Sequence, residues 1–392
     1  MQHDLIVIGA GPAGLSFARA LAGSGLNVLV LEKLDESVLA EPPYDGREIA
    51  LTHHSVAVLE DLDIFPRIPA EHVSPLREAR VLNGSSPYFL QFDHQATGKE
   101  ALGYLVSNHR IRKAAYEAAA NAPGITLRTG AEVAAVTTDD GSARVTLTDG
   151  ERLEASLLVA ADTRFSQARR DMGISASQLD FGRVMIVCRV NHAEDHHGIA
   201  YECFHYTETI ALLPLPGRCS SLVLTVNASD AREMVEMDAG AFAAVMQERL
   251  GGRFGTLELA SERYPYPLVA VYADRFVGNR FALVGDAAVG MHPVTAHGFN
   301  LGLGGARVLA GRIRDAHGRG EPITSAAVLK GYEWRHRRDS LPLYLATNAI
   351  ARIYASNVPP ARLARSLLLR AGNRLSPVKH LLLDRLTDIR AA

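Results

Sequence analysis

The sequence predicts an α/β chain, α+β overall, in which a Rossmann-like nucleotide-binding domain carries an inserted β-sheet domain and ends in helices. Three observations predict it: a strand, glycine turn, helix and second strand open the chain, strand-like runs dominate residues 180–270, and helical spacing dominates after about residue 300. The nucleotide-binding domain is therefore expected to be discontinuous, over 1–70, 96–178 and 270–345. Residues 71–95 and 179–269 form the β-rich insertion, and 346–392 a helical C-terminal region.

DLIVIGAG is a short buried strand, PAGLSFARALAGSG a small-residue helix, and LNVLVLEK a second strand. A helix is expected from Arg47 through Leu62. SPLREARVLNGSSPYFLQFD alternates about a Gly-Ser turn and reads as a hairpin. HRIRKAAYEAAANA is a helix stopped by Pro123 and Gly124, and the stretch that follows gives strands with Asp-Gly turns. RVMIVCRV, ECFHYTETIALLPL and SSLVLTV supply the strand-rich middle, with one helix near 238–250.

The 392 residues, 47% hydrophobic and 21% charged, describe a folded globular chain. Residues 330–392 hold 12 Lys/Arg against 4 Asp/Glu, so a net charge of -2 divides into about +8 there and about -10 before it. Such asymmetry marks either a surface for an acidic partner or anionic membrane, or a solvated basic face. No nucleic-acid motif accompanies it. Cys188, Cys203 and Cys219 lack metal or disulfide spacing and read as buried thiols of a reducing cytoplasm. MQHDLIVIGAGPAGL carries Asp4 and no basic leader, which argues against a signal peptide, and no run is long enough to span a membrane.

Gly9, Gly11 and Gly14 form GxGxxG between strand and helix, with Pro12 and Ala13 inside the turn and Glu32 and Lys33 ending the next strand. The glycines permit a tight turn and close approach to a pyrophosphate at a helix N-terminus, and Glu32 can accept from ribose hydroxyls. An acid there disfavours a 2′-phosphate. The motif alone leaves NAD and FAD both open.

FALVGDAAVGMHPVTAHGFNLGL offers a second signature: an acid at a strand end, then a small-residue turn into a helix. It resembles the flavin motif of the para-hydroxybenzoate hydroxylase type of FAD-dependent aromatic hydroxylases. Gly285, Asp286, Ala287, Ala288, Pro293, Gly298 and Asn300 carry the match. The resemblance implies that Asp286 binds the ribityl chain and that Ala296, His297, Gly298, Phe299 and Asn300 approach the flavin. It further implies Arg47 at the pyrophosphate, Arg110 of LGYLVSNHRI at the start of an FAD-contacting helix, and Asp162 of DTRFSQAR at both FAD and a reduced nicotinamide. Thr163 replaces the family's glycine in that last motif.

Within this family AYECFHYTETIALLPL and the GDAAVGMHP stretch are most similar to the ubiquinone-biosynthesis hydroxylases of the UbiH, UbiF and UbiI group. Ala296-His297-Gly298 and Gly304-Gly305 are similar to the UbiM subgroup. The resemblance implies FAD as cofactor, NADH or NADPH as reductant and O2 as cosubstrate. It implies ring hydroxylation of a polyprenylated phenol or quinol through a flavin C4a-hydroperoxide. A dehydrogenase or prenyl reductase of the same fold, and a flavin-bound scaffold, are the alternatives. No Ser-His-Asp order supports a hydrolase.

His292 and His297 lack a third ligand at metal spacing, so no metal is expected. Pro293 and His297 are candidate residues at the flavin, with a backbone-bonded turn as the other reading of His297. His53 and His54 are candidates to line the cavity or the surface. Tyr201, His205 and Tyr206 lie on the strand-rich wall, Tyr201 and His205 sharing a face, and His205 is the candidate proton acceptor for a phenol. The basic amphipathic stretch ARLARSLLLRAGNRLSPVKHLLLDRLTDI implies contact with the periphery of the inner membrane, a biosynthetic assembly or a homo-oligomer, or simply packs on the chain's own core.

Overall fold

Five strands with apolar runs lie side by side in parallel, in the order Ile125–Arg128, Val28–Leu31, His3–Ile8, Arg152–Ala160, Phe281–Leu283. The computed structural model describes residues 3–83, 89–205 and 208–355. Leu5, Ile6, Val7 and Val30 are fully buried, as a parallel sheet covered on both faces requires. The hairpin Val133–Thr138 and Ala143–Leu147 extends antiparallel from Arg152–Ala160. Helix Pro12–Leu21, opened by a proline whose missing N–H costs nothing there, packs against both Asn108–Ala120 and Gly298–Gly318.

A second, largely antiparallel sheet runs in the order Val289–Gly290, Tyr264–Ala273, Ala176–His192, Cys219–Asn227, Thr209–Leu215, Ile199–Phe204, Glu78–Asn83, Phe89–Asp93. Period-two alternation gives it two different faces. Ile186, Cys188, Cys203, Leu212, Leu222 and Leu224 turn to a helix layer that includes Phe242 and Met246 of Ala239–Arg249. The other face meets the segment around residues 45–48: Arg189 donates to Glu48 at 2.7 Å, and the Tyr266 hydroxyl donates to the Asp45 carbonyl at 2.6 Å. Segment 281–290 joins both sheets, since Leu283 pairs with Ala160 and Val289 with Tyr272.

The expected helix from Arg47 begins later. Gly46 turns with φ +78, and Glu48–Leu51 is a strand paired with Gly103–Ser107, itself paired with Val73–Leu76. Only at His53 does the helix start, capped by the Thr52 hydroxyl accepting from the Ser55 N–H. Strand partners supplied by tertiary structure override the local helical spacing. Among the described residues no helix is long and apolar enough to cross a membrane. Most of the basic C-terminal stretch, residues 356–392, lies outside the described residues, as does Tyr206.

Gly305 has a steric reason to be glycine. A Cβ there would stand 2.7 Å from the ring of His336, which is buried on the long helix Ala326–Ala355 between Tyr332 and Phe276. Gly305→Ala is therefore expected to destabilise the fold by about 1–3 kcal/mol through overpacking. His336→Ala in the same chain should recover part of that loss, read by a double-mutant denaturation cycle. Burial pushes His336 down to about 4, and burial followed by nearby arginines does the same to His109 and His292. The unfolded chain then binds more protons than the native one between about pH 6.5 and 4, so stability should fall as pH falls through that window. Denaturant midpoints measured across it, with His336→Phe as a control of reduced slope, check the sign.

Candidate active site

The N-terminal turn is packed on one side and open on the other. Gly9 adopts φ +101, and a Cβ there would meet the Ala161 carbonyl at 2.8 Å; one at Gly14 would meet the Gly9 carbonyl at 2.0 Å. A Cβ at Gly11 would meet nothing within 4 Å. This open position, at the head of the helix that Pro12 and Ala13 begin, is where a phosphate group can approach the backbone. Glu32 is held below the turn, its carboxylate accepting from the N–H groups of Ala10 at 2.8 Å and Leu34 at 3.1 Å. Lys33 beside it is exposed.

The second signature converges on the same seam. Gly285, with φ +61, brings a turn against Ala13, where a Cβ would lie 2.8 Å from the alanine methyl. Asp286 follows in that turn and accepts from the Arg164 guanidinium at 2.9 Å. Asp162 is half-buried at the end of the neighbouring strand: burial raises its pKa, and its Oδ1 is buried without a partner among the described residues. Arg47 pairs with Asp45 at 2.6 Å and lies over the Tyr266 ring. Arg110, in the first turn of Asn108–Ala120, has no ion-pair partner among the described residues.

His292 caps the short turn Pro293–Thr295, its Nδ1 accepting from the Val294 N–H, and its ring meets Phe181 edge-on. Pro293 is exposed there. Ala296 takes the left-handed region with φ +54, and His297, buried, bonds the Thr295 carbonyl through Nδ1. The helix then starts at Gly298 without a side-chain cap, which leaves the positive end of its dipole without a side-chain acceptor. Phe299 packs on the core, and Asn300 spends its amide on the chain, donating to Ala50 and Ala296 carbonyls and accepting from the Thr52 N–H. His53 bonds the Ala101 carbonyl, and the Nδ1 of His54 is buried without a partner among the described residues.

The structure thus brings together Gly9–Gly14, Glu32, Arg47, Asp162, Asp286 and the 296–300 turn, and it sets His205 apart. His205 follows Cys203 on the helix-layer side, beside the Glu208–Arg249 ion pair. Burial lowers its pKa, and its Nε2 lacks a partner among the described residues. Sequence reasoning missed the Arg164–Asp286 pair. It also missed Glu202, the one acid within the apolar run Ile199–Phe204, which alternation turns to the opposite face from His205. No metal-holding cluster exists among the described residues.

An open glycine turn at a helix head, a buried Asp162 carboxylate oxygen without a partner among the described residues, and Arg110 without an ion-pair partner among them fit a dinucleotide cofactor. The chain belongs to the FAD-dependent monooxygenases, its residues 2–326 matching the FAD binding domain family. It is 48% identical over 391 residues to ubiquinone hydroxylase UbiM of Neisseria meningitidis, covering 99% of this chain and 85% of that protein. It is 35% identical to ubiquinone hydroxylase UbiL of Rhodospirillum rubrum, covering 96% and 88%. The fold also matches crystalline p-nitrophenol 4-monooxygenase PnpA of Pseudomonas putida DLL-E4, with a TM-score of 0.78 at 18% identity over 98% of each chain.

The two glycines separate binding from folding. Gly11→Ser keeps a good helix cap and meets no atom, so the apoprotein should unfold at its usual midpoint while FAD affinity drops about tenfold or more. Gly14→Ser should lose both. Apoprotein denaturation and flavin titration of the two variants distinguish these outcomes.

Proposed function

We propose that this chain hydroxylates the aromatic ring of a polyprenylated ubiquinone precursor, such as a demethoxyubiquinol. The observation that carries the reading is the 48% identity to a ubiquinone hydroxylase along almost the whole chain. FAD, reduced by NADH or NADPH, supplies the chemistry of activating O2 and delivering one oxygen atom to an electron-rich ring. The protein's own residues bind and orient. Gly9, Gly11, Gly14 and Glu32 would hold the adenosine diphosphate portion, with Arg47 and Arg110 at the charged phosphates. Asp162 and Asp286 would take sugar-chain hydroxyls, and the uncapped helix start at Gly298 would favour negative charge on the ring system.

The facing side of the second sheet would then cover the ring and exclude water. Pro293 and His297 would line the edge of that space. The basic stretch after residue 355 supports contact with an anionic membrane or with other proteins of the pathway, where an apolar substrate would be delivered.

Purified FAD-loaded protein, NAD(P)H, a short-chain prenylated phenol and 18O2 should give a product carrying one labelled oxygen. An unlabelled oxidised product would make the chain a dehydrogenase instead. Asp286→Ala should elute from gel filtration with substoichiometric flavin, whereas full retention would remove the ribityl role.

A further inference from the structure

Among the described residues, the strand Ile199–Phe204 of the second sheet turns one carboxyl, Glu202, to the face opposite the helix layer, and that carboxyl has no partner in the fold. Glu202 sits at the middle of Ile199–Phe204, paired across the sheet with Val81 on one side and Ala211 on the other. Beyond these, the same row continues through Val223 and Val187. Along its own strand the residues on its face are Ala200 and Phe204, both buried. The alternation is settled by the opposite side, where Tyr201 and Cys203 pack into the helix-layer core.

This face looks onto the cofactor region. The row of Glu202 ends at Tyr264, whose ring would touch a Cβ placed on Gly46, one residue before Arg47. Met185 and Tyr266 form the neighbouring row, and the Tyr266 hydroxyl reaches Asp45. The face is not packed shut: Val81, Leu213 and Val223 are only half-buried although they lie on inner strands. Glu202 is also half-buried, yet desolvation alone pushes its pKa up to about 8. Its strand neighbours Ala200 and Phe204 and its cross-strand partner Ala211 are buried, so the carboxyl stands in an apolar wall. Its carboxyl makes no hydrogen bond or ion pair among the described residues.

Immediately beside it stands an apolar cluster, Leu90, Phe92 and Leu102 with Leu76, Ala79 and Val81 packed on it. One polar group set in such a wall costs stability unless something bonds it. Extending the reading of the chain as a ring hydroxylase, we propose that Glu202 binds the ring oxygen of the substrate, a phenol or quinol whose apolar substituent lies against the Leu90–Phe92–Leu102 cluster. A protonated carboxyl offers a donor and an acceptor on adjacent oxygens, so it can accept from a ring hydroxyl and donate to the same ring oxygen. It thereby fixes which ring edge faces the cofactor.

The test uses the FAD-loaded full chain and two probes, a short-chain prenylated phenol and its O-methyl ether, titrated by their perturbation of the flavin spectrum. The wild type should bind the phenol about tenfold or more tightly than the ether, the loss expected when a buried polar group is left unpaired. Glu202→Leu should bind both probes alike, with unchanged FAD content and a thermal midpoint at or above the wild type. Glu202→Gln should restore part of the preference for the phenol. A phenol preference that survives in Glu202→Leu would overturn the assignment, as would a wild type without that preference. A Glu202→Leu chain that unfolds earlier than the wild type would show the carboxyl to be a structural partner, which also overturns it. Binding is read without turnover, so a failure of hydroxylation itself, seen by 18O2, is a separate result.

Discussion

Backbone meets backbone at one seam, and the rest of the arrangement depends on it. The ends of His3–Ile8, Arg152–Ala160 and Phe281–Leu283 are approached by two helices so closely that side chains do not fit. A Cβ at Gly14 would stand 2.0 Å from the Gly9 carbonyl, and one at Gly302 would stand 3.2 Å from the Gly285 Cα. Glycine inside a helix costs about 1 kcal/mol against alanine, so Gly302 and Gly305 are unfavourable by local propensity. Tertiary contact decides the matter. The helix Gly298–Gly318 accepts that penalty because burying Leu303, Ala306, Leu309, Ala310 and Ile313 contributes more, at roughly 25 cal/mol for each Å2 of apolar surface removed from water. What the seam achieves is placement: the GxGxxG turn, Asp162 and Asp286 come from three distant parts of the chain and end on one side of one sheet.

A buried cation braces the two acidic turns. Arg169 is 2% exposed, and its guanidinium donates to the carbonyls of Arg164 at 3.1 Å and Ala287 at 2.9 Å. Burial lowers its pKa, and the nearby Asp162 opposes that. The Ser166 hydroxyl accepts from the Arg169 N–H, fixing the start of its short helix. Arg169 therefore tethers the turn after Asp162 to the turn holding Asp286. Arg164 adds a direct ion pair to Asp286, so both acids are positioned from the same loop.

Much of this was legible in the sequence, because glycine spacing after an apolar run reports a local backbone requirement. GxGxxG, the Gly-Asp-Ala-Ala turn, the parallel strands and the strand-rich insertion all express local rules that survive in the fold. Two kinds of fact were not legible. Glu48–Leu51 is a strand only because Gly103–Ser107 lies beside it, more than fifty residues away in the chain. The face of a strand is likewise invisible until something packs on it: alternation placed Tyr201 with His205 and apart from Tyr206, but which face meets the cofactor side depends on the helix Ala239–Arg249. The apolar partners of that helix, not the histidine's chemistry, decide that His205 belongs to the helix-layer side.

The departures from the family pattern have local causes of the same kind. Gly305 makes room for the His336 ring, so the missing side chain there answers to the long C-terminal helix rather than to a ligand. Thr163 is exposed and its hydroxyl accepts from the Phe165 N–H, which holds the turn that a glycine would otherwise reach by backbone freedom. Ala296 sits in the left-handed region, a conformation that costs an L-residue about 1–2 kcal/mol and glycine almost nothing. Its N–H donates to the Pro293 carbonyl and its own carbonyl accepts from Asn300, while His297 bonds Thr295 on the far side. Those bonds determine the turn from both flanks, so a methyl group is tolerated where the family uses none. With its backbone bonded in this way and its histidine buried, the Ala-His-Gly turn holds the head of Gly298–Gly318 in one place, as the role proposed for its dipole would require.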